Sequence, residues 1–215
     1  MPTESIIVIC SHSDDQIFGP GGTLAKYAKE GKEIYTIVLS YGESSHPHFQ
    51  RKVAVETRVD EAKKADEVIG GKGVVFIGLK EGKFRLQAEE KNMKENIKKI
   101  IKKIKPSKIF THTSDDPHKD HRETYQLVME IADELSYKGD VYSFAIWNPL
   151  KIGKRNLPKL VVDISDTFKT KINALNCFES QKLSLLFLLW SVYLKAIVNG
   201  LKNKCRFAEV FWKER

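Results

Sequence analysis

Ile6-Ile7-Val8-Ile9-Cys10-Ser11-His12-Ser13-Asp14-Asp15 decides how this chain reads: a strand-like apolar run opens directly into an imidazole and two carboxylates. A second junction of the same kind lies downstream, where Lys108-Ile109-Phe110-Thr111 opens into Asp115-Asp116-Pro117-His118-Lys119-Asp120-His121. Histidine and carboxylate clustered at two strand ends are the vocabulary of a metal site.

Working outward, periodicity predicts strands near 5–10, 33–40, 73–79, 108–112, 141–147 and 159–164. Helical patterns fall between most of them, near 21–31, 50–69, 88–104 and 121–136. Gly31 and Gly70-Gly71 stand where helices should stop, and Pro106 ends the helix before the fourth strand. Beyond Asp163 two helical segments are expected, roughly 166–180 and 182–199, then a short apolar tail from Phe207 to Trp212. The alternation predicts an α/β fold, a Rossmann-like three-layer sandwich with a mostly parallel sheet. In such a sheet the active site lies at the strand carboxyl ends, and a 3-2-1-4-5 order places strands 1 and 4 side by side at the switch point. Residues 12–15 and 116–121 can then meet in one crevice.

With 215 residues and 41% hydrophobic content, residues 1–215 are expected to form one domain around one core. The net charge of +8 comes from lysines interleaved with acids, which favours solubility over nucleic-acid binding. In the densest basic stretch Ile97, Ile100, Ile101 and Ile104 recur at helical spacing, so its lysines decorate the wet face of an amphipathic helix. Cys10, Cys177 and Cys205 form no C-x-x-C pair and no disulfide framework, and no signal-like segment precedes the first strand. A cytoplasmic protein is expected. Leu183 to Val198 is apolar but broken by Ser184, Ser191 and Lys195, and falls short of the ~20 residues of a bilayer crossing. A buried helix or a homo-oligomer contact is expected there, and no membrane span.

If the segment after the first strand curls into a helical turn, His12 and Asp15 face one way. His118 and His121 share that spacing, and either supplies a third ligand. Three ligands drawn from histidine and carboxylate, with a position open to water, are the arrangement of a hydrolytic zinc site. Asp14 projects differently and is placed to act as a base. An imidazole opposite it, for which His118 is suited, would steady an oxyanion or protonate a leaving group. The start of the following helix disfavours an imidazolium at His118, whereas Asp116 or Asp120 favours one.

His12-Ser13-Asp14-Asp15, Gly19-Pro20-Gly21-Gly22 and the distant His118-Lys119-Asp120-His121-Arg122 together resemble the PIG-L/LmbE family of zinc-dependent N-acetyl-sugar deacetylases. Arg58-Val59-Asp60-Glu61-Ala62 resembles the family's Arg-x-x-Glu-Ala helix. Val162-Asp163-Ile164-Ser165, Lys171, Ser180-Gln181 and Ala208-Glu209-Val210-Phe211 resemble its C-terminal blocks. The resemblance implies His12, Asp15 and His121 as zinc ligands, Asp14 as general base and His118 facing the oxyanion. It also implies Asp120 as the partner orienting His118, with Arg58 near the substrate. Ser13 stands where the family usually has proline, and Gln16 where it usually has glutamate; neither position is a ligand or the base, although the amide changes the surroundings of the ligands.

Each feature also has a plain structural reading. Asp14, Asp15 and Asp120 suit helix capping, Gly19 to Gly22 suits a turn rather than a phosphate loop, and Cys10 and His112 suit the core. His46 and His48 are surface-loop histidines or substrate contacts, and Trp147 stacks on a sugar or packs in the core. The expected function is removal of an acetyl group from an N-acetylglucosamine-type sugar or glycoconjugate, with Asp14 activating water and His118 stabilising the oxyanion. The alternatives are a metal-dependent phosphoesterase, for which Lys119, Arg122 and Arg58 would hold phosphate, and a catalytically inert binding module of the same fold. Zn2+ is the expected cofactor, since hydrolysis needs only a Lewis acid, with Fe2+ or another divalent metal compatible with the same donors.

Overall fold

The computed structural model describes residues 3–42, 50–90, 92–146 and 156–215. Five strands, β1 (Ser5–Cys10), β2 (Glu33–Val38), β3 (Val74–Phe76), β4 (Lys108–His112) and β5 (Asp140–Phe144), are parallel to one another. With β6 (Lys159–Asp163) and β7 (Ala208–Lys213) they make one sheet of order β3-β2-β1-β4-β5-β7-β6. The first five follow the expected 3-2-1-4-5 order, and the mostly parallel α/β sandwich is the one the alternation predicts.

Burial explains the layers. Along β1, Ile6, Val8 and Cys10 face one side of the sheet and Ile7 and Ile9 the other, all fully buried. On the first face pack α1 (Asp15–Phe18), α2 (Gly21–Lys29), α3 (Arg51–Ile69), α7 (Phe168–Leu175) and α8 (Lys182–Lys202). The second face takes α4 (Phe84–Glu90), α5 (Met93–Ile104) and α6 (Lys119–Glu134). Ile97 and Ile101 of α5 turn into this second core, Lys99, Lys102 and Lys103 stay outside, and Lys94 and Lys98 reach across to Glu130 and Glu134 of α6. Gly70 ends α3 at φ 80°, a left-handed cap that favours glycine.

Three expectations are revised. The helix expected over 88–104 is two, because Asn92 adopts φ 51° and breaks the helical hydrogen-bond ladder between Glu90 and Met93. The segment expected over 166–180 stops at Leu175 and resumes as a short turn at Glu179–Gln181 before α8. The tail at 207–212 is strand β7, inserted between β5 and β6 and antiparallel to both. Its apolar residues carry no mark of their pairing, because its partners are far away in the chain.

Candidate metal centre

The loop after β1 is built by its own polar groups. His12 donates its backbone N–H to Asp15 Oδ2 (2.8 Å), which folds the carboxylate back towards the strand end. Buried Gln16 donates its amide to Ser13 O (2.7 Å) and receives a long contact from the Cys10 thiol (3.7 Å). The amide that departs from the family pattern therefore closes the loop from within. Gly19 follows α1, and a Cβ there would stand 2.4 Å from the Phe144 ring, so only glycine lets this turn lie on β5.

The second cluster is tied to the first across the switch point. His112, the last residue of β4, accepts the Ser11 N–H at Nε2 (3.1 Å). Asp116 Oδ1 accepts the His118 N–H (2.9 Å), and His118 caps α6 by accepting the Asp120 N–H at Nδ1 (3.3 Å). One turn on, His121 is fully buried, with Nδ1 3.1 Å from Asp116 Oδ1 and Nε2 3.4 Å from Asp15 Oδ1. Despite those distances neither His121 nitrogen makes a well-directed hydrogen bond within the described residues.

His12, Asp15 and His121 each present a donor atom within 4.8 Å of the others. The same holds for His12, His118 and Asp120, and for His112, Asp116 and His121. A buried imidazole with unsatisfied nitrogens, facing a carboxylate and a second imidazole, fits a borderline divalent cation of the zinc or iron type. Electrostatics points the same way. Burial opposes charge on His12, but Asp15, Asp120 and Asp14 outweigh it and raise its pKa to about 10. Burial likewise opposes charge on His121, and Asp15 and Asp116 raise it to about 9. Burial also works against the Asp15 carboxylate, yet His121, His112 and His12 hold it well below the usual range. Protons thus sit where a cation would.

Around this cluster lies a crevice of about 310 Å³ lined by His12, Asp14, Asp15, Arg58, His118 and Asp120 among others. Asp14 Oδ1 is 3.5 Å from Nη2 of Arg58, a buried guanidinium whose Nε and Nη1 have no partner among the described residues. His118 is lowered by burial and then by His12 and His121. The Asp120 contact to His118 runs through the backbone N–H; the Asp120 carboxylate instead lies 3.5 Å from His12 Nε2 and accepts the Gly82 N–H (2.8 Å). His112 is lowered to about 4 by burial and the neighbouring His121, as suits a core histidine. Burial pushes the Cys10 thiol well up, which keeps it protonated. His46, His48 and Trp147 lie outside the described residues.

Glu81 belongs to neither motif in the sequence, yet it lines the crevice with Oε1 3.9 Å from His12 Nε2. It follows β3 at the carboxyl edge of the sheet, and that position is the signal that would have found it. Phe18, Ile146, Gln181 and Leu188 complete the wall from elements no local motif connects.

An α/β sandwich with clustered histidines and carboxylates where its central parallel strands part defines a class of proteins able to hold a divalent cation at the sheet's carboxyl edge. The family model described as PIG-L, GlcNAc-PI de-N-acetylase, matches residues 7–132, and the chain belongs to that family. It is 26% identical to the 4-oxalmesaconate hydratase of Pseudomonas putida over 94% of this chain and 82% of the relative. It is 25% identical to the diacetylchitobiose deacetylase of Thermococcus kodakarensis, over 96% of this chain and 81% of that one. The crystal structure of the 4-carboxy-2-hydroxymuconate hydratase of Pseudomonas putida superposes with a TM-score of 0.83 at 22% identity, covering 99% of this chain and 97% of that one. The fold is shared with it; the family contains both deacetylases and hydratases.

Proposed function

We propose that this chain is a metal-dependent N-deacetylase of N-acetylglucosamine-type sugars or glycoconjugates, with His12, Asp15 and His121 as metal ligands. The observation that carries this reading is the crevice lined by His12 and Asp15, with His121 buried behind them within donor distance of both, in which Asp14 and His118 flank the donors without being needed to complete that set. Zn2+ is the cation the donor set suits best, and when bound it supplies Lewis acidity that polarises an amide carbonyl and acidifies water.

The chain's own residues do the rest. Asp14 takes a proton from the attacking water, held in orientation by Arg58. His118 accepts the Asp120 N–H at Nδ1, so its neutral form carries the proton on Nε2, which donates to the carbonyl oxygen as charge grows there. Asp120 and Glu81 surround the His12 ring and fix its position. As the C–N bond breaks, Asp14 returns its proton to the departing amine, leaving acetate and a free amino sugar. Residues 1–215 act as one domain, and free Cys10, Cys177 and Cys205 accord with a cytoplasmic setting.

A hydratase is the second reading, favoured by the 26% identity to the 4-oxalmesaconate hydratase. The same Asp14 would then activate water for addition to a carbon–carbon double bond, and Arg58 would meet a substrate carboxylate. The zinc-loaded protein should be assayed for acetate release from N-acetylglucosamine, diacetylchitobiose and glucosaminyl conjugates, and for hydration of unsaturated dicarboxylic acids. Acetate release, faster from conjugates than from the monosaccharide, is the expected result. Hydration without acetate release would overturn the deacetylase reading; phosphate release from phosphoesters would replace both.

A further inference from the structure

Helix α8 has two apolar faces, and the fold uses one. Leu188, Val192 and Ala196 are buried in the core beside β7. On the outward face Leu183, Phe187, Trp190, Leu194, Ile197 and Leu201 recur at steps of four, three, four, three and four residues. Their exposure runs from 38% at Leu194 to 74% at Leu183 and Leu201. Leu186, Tyr193 and Val198 broaden the row and are exposed as well.

Two observations select the occupant. A strict alternation of four and three is the spacing that keeps one helix in register against another; a lipid surface requires only an apolar sector. Charge gives the same answer. The helix has no acidic residue, Lys182 and Lys202 lie at its two ends, and Lys195 turns inward to donate to Ala145 O (3.1 Å) and Ile146 O (2.7 Å). Between Leu183 and Leu201 the outward row therefore lacks the basic flank that draws amphipathic helices onto anionic lipid, and nothing charged opposes an identical row. By length and composition alone Leu185–Lys202 is apolar enough to cross a bilayer, but a third of it is already buried against the rest of the chain.

We propose that the outward face of α8 is a self-association interface, occupied by the α8 face of a second copy of this chain. The row exposes on the order of 1,000 Å² per chain, against the ~800 Å² that each partner gives to a stable interface. Phe187 and Trp190 stand at its centre as the anchors. This inference is independent of the reaction proposed above.

Light scattering on the eluting 215-residue chain should give a dimer mass at micromolar concentration. Phe187→Glu combined with Leu194→Glu should weaken association by about a hundredfold or more and give a monomer with unchanged circular dichroism and melting temperature. Leu86→Glu, at a site 65% exposed on α4, should leave the dimer intact. A wild-type monomer would overturn the proposal, whether or not it floats with phosphatidylcholine–phosphatidylserine vesicles; flotation would assign the face to lipid. A dimer that survives the double substitution would place the interface elsewhere and overturn it equally. Should the double variant misfold, Trp190→Glu alone reads the same dissociation constant.

Discussion

Asp15 Oδ1 and His121 Nε2 stand 3.4 Å apart, joining the start of α1 to the first turn of α6. Both side chains are buried and both are held charged by each other and by their neighbours. A cation must displace the protons that His12 and His121 keep to about 10 and about 9. Metal uptake should therefore release protons, and affinity should climb as pH rises towards those values. Calorimetric titration with zinc in two buffers of different ionisation enthalpy measures the release. His121→Ala should lose most of the bound metal by elemental analysis; full occupancy would remove His121 from the ligand set.

Asp14 and His118 are expected to act on substrate, so their loss should separate turnover from metal content. Asp14→Asn should retain the metal and lose on the order of 10²–10⁴ in kcat. His118→Ala should do the same by withdrawing a donor from the developing oxyanion. An Asp14→Asn variant of full activity and full metal content would refute the proposed mechanism.

Glu209 on β7 holds the turn that leads from α1 into α2. Its Oε1 accepts from Lys171 Nζ (2.7 Å) and from Gly22 N (3.0 Å), and its Oε2 from Thr23 N (2.8 Å). Lys171 in turn donates to Phe18 O and Gly19 O. Glu209→Ala leaves the buried Lys171 ammonium without its counter-charge and two helix-start N–H groups without their acceptor, which should cost about 3–5 kcal/mol in urea unfolding. Glu209→Gln keeps an acceptor and should cost less. Equal stability of the alanine variant and wild type would show that the pair contributes nothing.

Asp66 gives a pH signature remote from the metal centre. Burial raises its carboxyl from 3.8 to about 6, opposed by the Gly73 N–H and by Thr36 Oγ1, which donates to Oδ1 at 3.5 Å. A group raised on folding contributes fully below its unfolded pKa and loses that contribution as pH rises through the folded value. Wild-type stability should therefore carry a falling component between about pH 4 and pH 6. Asp66→Asn removes this ionisation and should gain on the order of 2–3 kcal/mol relative to wild type at pH 7 compared with pH 4. Parallel unfolding curves at the two pH values would contradict it.

The alternation of strand and helix and the two junctions that carry the chemistry are legible along the chain, whereas the central order of the sheet followed from the α/β topology that the alternation implies. Those signals are local: the Ile6–Cys10 run, the isoleucine spacing of α5, Gly70 after α3 and the His12/Asp15 and His118/His121 spacings each lie within a turn or a strand. Packing in three dimensions brought together groups that lie far apart in the chain. It set His121 against Asp15, turned the Asp120 carboxylate towards His12, brought Glu81 into the crevice and slotted β7 between β5 and β6. Such contacts depend on how distant elements pair and pack, and periodicity within one segment carries no information about the partner it will find.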